Sequence, residues 1–206
     1  MLFKNEKHNK LWEKAANLTL ALIYVFFVYR FFIDLVQTQR LSVLILMIYE
    51  TMIVYFLLTR AMPIKVSTRP YDWCIAVLGT WVPLTMQPST TFNEIWFLNG
   101  LQVVGFLISM IGLYSLSKSF GIVAANRGIK MDGIYRFIRH PLYTGYILSV
   151  FCFVAQNITV WNIVMYVAMI ILLVLRVLSE ERLLSEDSEY KTYMQKTKYR
   201  FIPYIW

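Results

Sequence analysis

Charge is scarce in this 206-residue chain, where 16% of the residues are Asp, Glu, Lys or Arg and 58% are hydrophobic. A soluble domain carries roughly a quarter charged residues. The shortage leaves too little polar surface to meet water on all sides, so lipid must solvate much of the molecule. Cysteine is scarcer still. Cys74 and Cys152 each lie in an apolar run with no CxxC or Cys/His spacing, which argues against a disulfide or zinc framework and for small buried hydrophobes. No metal is expected. No Gly/Ser-rich or Pro-rich linker and no internal repeat divides the chain, so one membrane domain over residues 1–206 is expected. A strand followed by a Gly-rich turn, the mark of a soluble dinucleotide-binding domain, is also missing.

What the chain has in abundance is apolar sequence, in six runs: Ala15–Val36, Leu41–Thr59, Tyr71–Met86, Ile95–Ser117, Leu142–Ala155 and Val160–Leu178. Spanning a hydrocarbon core of about 30 Å takes roughly 20 helical residues. The third and fifth runs are short, and Gly79 and Pro83 weaken the third. The first is too long for a signal-peptide core and lacks a small-residue cleavage site, so it should be retained as a helix. The polar turn Gln156-Asn157-Ile158-Thr159 predicts a hairpin of the last two helices. The expected fold is all-α: a polytopic transmembrane bundle of five to six segments, with N-terminal helices over 1–117, and a loop, two helices and a cytoplasmic tail over 118–206.

The net charge of +8 brings nucleic acid to mind, but the basic residues sit in short segments between apolar runs rather than over a wet face. Placing the N-terminus, the segments 60–70 and 118–140, and the tail from Arg176 on one side collects 18 of the 20 Lys and Arg there, all but Arg30 and Arg40. By the positive-inside rule both termini are expected in the cytoplasm.

Polar residues concentrate in the segment from Asn126 to Gly145 and in the tail. Pro141 suits the first turn of a helix, where its missing N–H would have had no partner. His140 then stands at the mouth of that helix, where unpaired N–H groups and the neighbouring Arg139 favour an anion. Gly145, one turn in, allows close approach of a ligand or another backbone. In the tail, Arg176 and Glu180 are four residues apart on one helical face, with Glu181 beside them. An Arg/Glu cluster near a His/Arg loop suits a zwitterion, one pair taking its carboxylate and the other its amine.

The ordered set Gly133-x-Tyr135-Arg136-x-x-Arg139-His140-Pro141-x-Tyr143-x-Gly145, Arg176-x-x-x-Glu180-Glu181-x-x-Leu184, Glu189-Tyr190-x-x-Tyr193 and Arg200-x-x-Pro203 resembles the isoprenylcysteine carboxyl methyltransferase family. That family belongs with the wider group of membrane methyltransferases that includes phospholipid N-methyltransferases. The resemblance covers about residues 118–206. Ile134 departs from it, since the family commonly has Pro between the Gly and Tyr.

The resemblance implies S-adenosylmethionine bound at the cytoplasmic side. Tyr135, Arg139, His140, Tyr143 and Gly145 would line its pocket, Glu181, Tyr190 and Tyr193 would close it, and Arg176 and Glu180 would lie nearer the reacting methyl group. A cation such as Arg176 orients an ionised carboxylate acceptor, whereas an amine or thiol must lose a proton, which Glu180 can take. A small lipophilic acceptor explains the membrane setting and calls for two openings, one facing lipid. A bacterial inner membrane is the expected location, or the endoplasmic reticulum in a eukaryote.

Glu50 stands alone midway along the second apolar run. A carboxyl at bilayer depth costs at least ~2.5 kcal/mol, so it is a candidate substrate contact. Two other readings compete: a membrane reductase using NADPH, and a non-enzymatic scaffold or transport subunit whose tail recruits a partner.

Overall fold

In lipid, a chain must satisfy its backbone polar groups internally, and long apolar runs do so as helices. The computed structural model describes residues 6–39, 41–86 and 95–205. The helices are α1 (Glu6–Thr38), α2 (Leu41–Thr59), α3 (Pro70–Trp81), α4 (Trp96–Leu116), α5 (Pro141–Gln156), α6 (Val160–Leu184) and α7 (Ser188–Lys196). Among the described residues, three helical stretches are long and apolar enough to cross a membrane: Glu13–Gln37, Trp96–Ser119 and Val160–Leu184. The 19-residue α2 and the 16-residue α5 are shorter. As Gly79 and Pro83 foretell, α3 stops at Trp81 and continues as a 3-10 turn over Val82–Thr85. Outward faces expose Leu18, Leu22, Phe26, Phe32, Val160 and Val164, an apolar surface that water would not tolerate. Arg40, one of the two cations set apart by the charge count, lies outside the described residues.

The all-α expectation needs one amendment. Lys65–Val66 (β1) pairs antiparallel with Ala125–Asn126 (β2), in register Lys65↔Asn126 and Val66↔Ala125. Further backbone bonds flank the pair, from Ala61 N–H to Lys118 C=O at 2.8 Å and from Ser67 N–H to Ala124 C=O at 3.0 Å. Ion pairs extend the knot. Arg127 bonds both Glu13 and the Ala61 carbonyl, Lys65 meets Glu186, and Arg182 donates to the buried Asp72 at 2.5 Å. The polar segments thus converge at one end of the bundle, where they close over the apolar helices.

The hairpin of α5 and α6 forms, with Thr159 capping α6 through the Asn162 N–H. The closest partner of α5 is nonetheless α4. Gly105, Ser109 and Gly112 on α4 face Leu142, Gly145 and Ser149 on α5, and the two backbones touch. A Cβ at Gly112 would stand 2.8 Å from Leu142 N, and one at Gly145 would stand 2.6 Å from both Ser109 N and its Oγ. Without a hydrophobic drive between helices in lipid, such small residues bring backbones into van der Waals contact. Hydroxyls then bond across the seam: Ser109 Oγ donates to Leu142 C=O at 2.9 Å, and Ser149 Oγ to Gln102 C=O at 3.1 Å. This rigid pair fixes His140 and Tyr143, at the head of α5.

Candidate functional site

Glu180 and Glu181 are adjacent in α6 but point into different networks. Glu181 is 4% exposed and takes Arg139 Nε at 2.7 Å on Oε1, Arg200 Nε at 2.9 Å on Oε2, and His140 Nε2 at 3.1 Å on Oε1. Arg139 has more to hold. Its Nη1 donates to the Thr197 and Lys198 carbonyls at 2.8 and 2.9 Å, while the Arg139 and His140 N–H groups donate to the Tyr199 and Arg200 carbonyls. A buried arginine, a half-buried one and a buried carboxylate therefore lash the tail to the mouth of α5. Arg139 spends its charge on the protein, so the anion corner expected at this helix start is filled by Glu181 and the tail. Each partner leaves the others uncompensated if removed.

Glu180 faces the other way. Tyr143 Oη donates to its Oε1 at 2.5 Å and Arg176 Nε to the same oxygen at 3.2 Å. The Arg176 guanidinium stands over the Tyr143 ring, 5.4 Å from its centroid, and Nη2 also donates to Gly121 C=O at 3.1 Å. His140 stacks on Tyr143, with ring centroids 5.8 Å apart and planes at 19°. His140 and Tyr143 thus connect the Glu181 knot to the Glu180 pair.

Two cavities flank this connection. The first, about 760 Å³ with its open mouth, lies at the polar end. Its walls come from the segment Ser119–Lys130, from Tyr135, Arg139, His140, Tyr143, Glu180 and Leu184, and from Tyr190 and Tyr193 on α7. Tyr193 Oη donates to Tyr135 C=O at 2.7 Å, and Tyr190 and Tyr193 lie 5.6 Å apart, ring to ring. Burial pushes the phenols of Tyr135, Tyr190 and Tyr193 above the usual tyrosine range, so they stay neutral. Gly133, at φ +62°, makes the turn that sends Tyr135 inward, a backbone conformation that L side chains rarely adopt.

The second cavity, about 630 Å³ with its open mouth, lies among α1, α2, α3, α5 and α6. Tyr24, Phe27, Tyr49, Tyr146 and Leu173 line it, with Glu50 on one wall and Arg176 on another. Phe120, Leu142 and Tyr143 belong to both cavities and form the wall between them. Glu180 lines the first cavity and Arg176 the second, so their bond runs from one to the other.

Residues 98–186 match the isoprenylcysteine carboxyl methyltransferase (ICMT) family. The family named from the sequence is thereby found again, over a span that begins earlier, at α4, and ends before the tail. No curated protein matches the chain. The matching family is one of methyltransferases, and the apolar helices fit a membrane protein. The ICMT-like span contains Tyr135, Arg139, His140, Tyr143, Gly145, Arg176, Glu180 and Glu181. Tyr190, Tyr193 and Glu50 lie outside it.

Of the residues singled out in the sequence, Tyr135, Arg139, His140, Tyr143, Glu180, Tyr190 and Tyr193 share the first cavity. Arg176 and Glu50 share the second. Two stand elsewhere. Gly145 is among neither set of lining residues and packs against the α4 backbone, the second of the two roles open to it. Glu181 stands behind the wall and holds Arg139, His140 and Arg200 in place. Sequence reasoning missed Tyr24, Tyr49 and Tyr146 of the deep cavity, which no motif marks, and Phe120 and Gly121, which precede the motif.

Proposed function

We propose that the protein is an S-adenosylmethionine-dependent membrane methyltransferase that takes its cofactor in the first cavity and a lipophilic acceptor in the second. The observation that carries this reading is the shared wall: Tyr143 lines both cavities, and the Glu180–Arg176 bond joins one to the other. Methyl transfer needs two molecules brought end to end from different phases, and two adjoining cavities, one at the polar end and one among the helices, suit that need.

The residues present fit the cofactor. The first cavity opens at the polar end and is lined by aromatic and charged side chains. Its neutral tyrosines offer faces for a flat heterocycle or a cation, and Glu180 offers the negative charge. S-adenosylmethionine, when bound, supplies a methyl group already activated on a sulfonium. The protein's part is then to bind, orient and exclude water. Tyr135, Tyr190 and Tyr193 would hold it; His140 and Tyr143, fixed by Glu181 and Glu180, would set its position at the wall. An ionised carboxylate, whether of an isoprenylcysteine type or another, needs only orientation. An amine or thiol must lose a proton, and Glu180, steadied by Tyr143 and Arg176, is the base at the wall.

The converging basic segments support a cytoplasmic polar end with both termini on that side. S-adenosylmethionine would then enter from the cytoplasm and the acceptor sideways from lipid. Calorimetric titration of the detergent-purified protein with S-adenosylmethionine and with NADPH tests the reading. Saturable binding of the first, lost in His140→Ala and Glu181→Ala, is expected. Binding of NADPH alone would replace it with a reductase, and binding of neither would favour a non-enzymatic role.

A further inference from the structure

Glu50 is 8% exposed, and its Oε2 has no hydrogen-bond partner. Asp72 and Arg127 also carry one unpartnered buried atom each, but both make bonds through their other atoms, to Ser67 and Arg182 and to Glu13 and Ala61. They bind the protein together at the polar end. Glu50 instead lies on the wall of the deep cavity, at a depth where an unmatched carboxyl is costly.

The other cavity groups narrow what would match it. Arg176, the cation on the opposite wall, already meets Glu180 Oε1 at 3.2 Å and Gly121 C=O at 3.1 Å. Six of the other lining residues are aromatic, Tyr24, Phe27, Tyr49, Phe120, Tyr143 and Tyr146, and Ile53, Ile122, Leu142 and Leu173 add aliphatic surface. Aromatic faces carry negative charge density and attract cations, more strongly where water is excluded. One carboxyl within a ring of aromatics is the chemistry that recognises an ammonium group. A carboxylate head would meet the Glu50 oxygen and the ring faces with the wrong sign and find the Arg176 charge already met.

We infer that the deep cavity selects a lipophilic amine, a molecule with an apolar chain and a protonated nitrogen head that hydrogen-bonds to Glu50. This rests on the reading of that cavity as the acceptor's berth, and it narrows the acceptor from carboxylate, amine or thiol to amine. Glu50 is the specificity-determining residue. The apolar walls take the chain, and the aromatic rings and carboxyl take the head.

The test uses three photoreactive amphiphiles of one chain length, headed by an amine, a hydroxyl or a carboxylate, crosslinked to the full-length protein in nanodiscs and mapped by mass spectrometry. The amine probe should label peptides of α1, α2 and α5 roughly tenfold more than the carboxylate probe, as expected for a desolvated cation among aromatic rings. Glu50→Gln keeps the shape and a carbonyl oxygen but removes the charge, and should erase most of that preference. Tyr146→Leu should weaken amine labelling severalfold while leaving Glu50 intact, so the inference does not hang on one variant's folding. Equal labelling by amine and carboxylate, equal labelling by amine and hydroxyl, or an undiminished preference in Glu50→Gln would each overturn it. A His140→Ala control separates the two readings. If it loses S-adenosylmethionine and keeps amine labelling, both stand. If the wild type binds no S-adenosylmethionine yet shows Glu50-dependent amine labelling, the methyltransferase reading falls and the amine site remains.

Discussion

The two cavities sit on either side of one wall and are built by different means. The outer one is assembled from loops and a tail, and it keeps its shape because buried charges tie those segments together: Glu181 to Arg139, His140 and Arg200, and Arg127 to Glu13 and Ala61. The inner one lies among helices packed around cores such as Met169, Leu173 and Val177, with Phe120 and Ile122 of the loop completing its lining. Charge pairs therefore set the geometry where water is near, and close packing sets it where lipid is near. A substitution should accordingly damage one cavity by unbalancing charge and the other by changing volume.

The largest effect expected follows from that difference. Glu181→Ala strands two arginines and a histidine, and should cost about 3–5 kcal/mol, as breaking a buried ion pair does. Thermal unfolding in detergent should show the loss, and the first cavity should lose its ligand. An unchanged melting temperature would mean that the tail is held by something else. Next come Arg176→Lys and Glu180→Gln. Each disturbs the bond across the wall without opening either cavity, and turnover should drop on the order of 10²-fold, the usual penalty of a small misplacement at a reacting centre. Cofactor affinity measured on the same samples should change little in Arg176→Lys, which lines only the second cavity, and should fall in Glu180→Gln, which removes the negative charge from the first.

On the packing side, Gly145→Ala drives a methyl group into the α4 backbone and Ser109, and should destabilise by about 1–3 kcal/mol. Ser109→Gly beside it should recover part of that loss in the double variant, because one of the clashing atoms, Ser109 Oγ, is gone. The smallest effect belongs to Lys65→Ala. Its pair with Glu186 is more than half exposed on both sides, and exposed pairs contribute little. No measurable change in melting temperature is expected; a large drop would show that the polar cap depends on this pair as well.

Much of the outer cavity was legible in the sequence, because its residues lie in an ordered set with fixed separations. Pro141 at the first turn of α5 announced where His140 would stand, and Arg176 and Glu180 meet as their four-residue spacing requires. What those residues bond to was not legible. Nothing in the spacing of Arg139 and Glu181 tells that they pair with each other and leave Glu180 to the cavity, since that depends on which face of α6 turns toward the tail. The strand pair β1–β2 escaped notice because two residues per strand carry no alternation to read. The deep cavity was hidden for a related reason. Tyr24, Tyr49 and Tyr146 look like any aromatic residue of a membrane helix until the helices are packed. Glu50 alone stood out, because a carboxyl inside an apolar run is costly at that depth.

Binding of S-adenosylmethionine to nanodisc-embedded Tyr190→Leu and Gly79→Leu variants tests the division of labour most directly. Tyr190 lines only the first cavity and Gly79 only the second, and a Cβ at Gly79 meets nothing closer than 3.7 Å. The account predicts at least a roughly tenfold weakening in Tyr190→Leu, from loss of an aromatic contact in a desolvated pocket, and affinity near wild type in Gly79→Leu. Equal loss in both variants, or none in either, would contradict it.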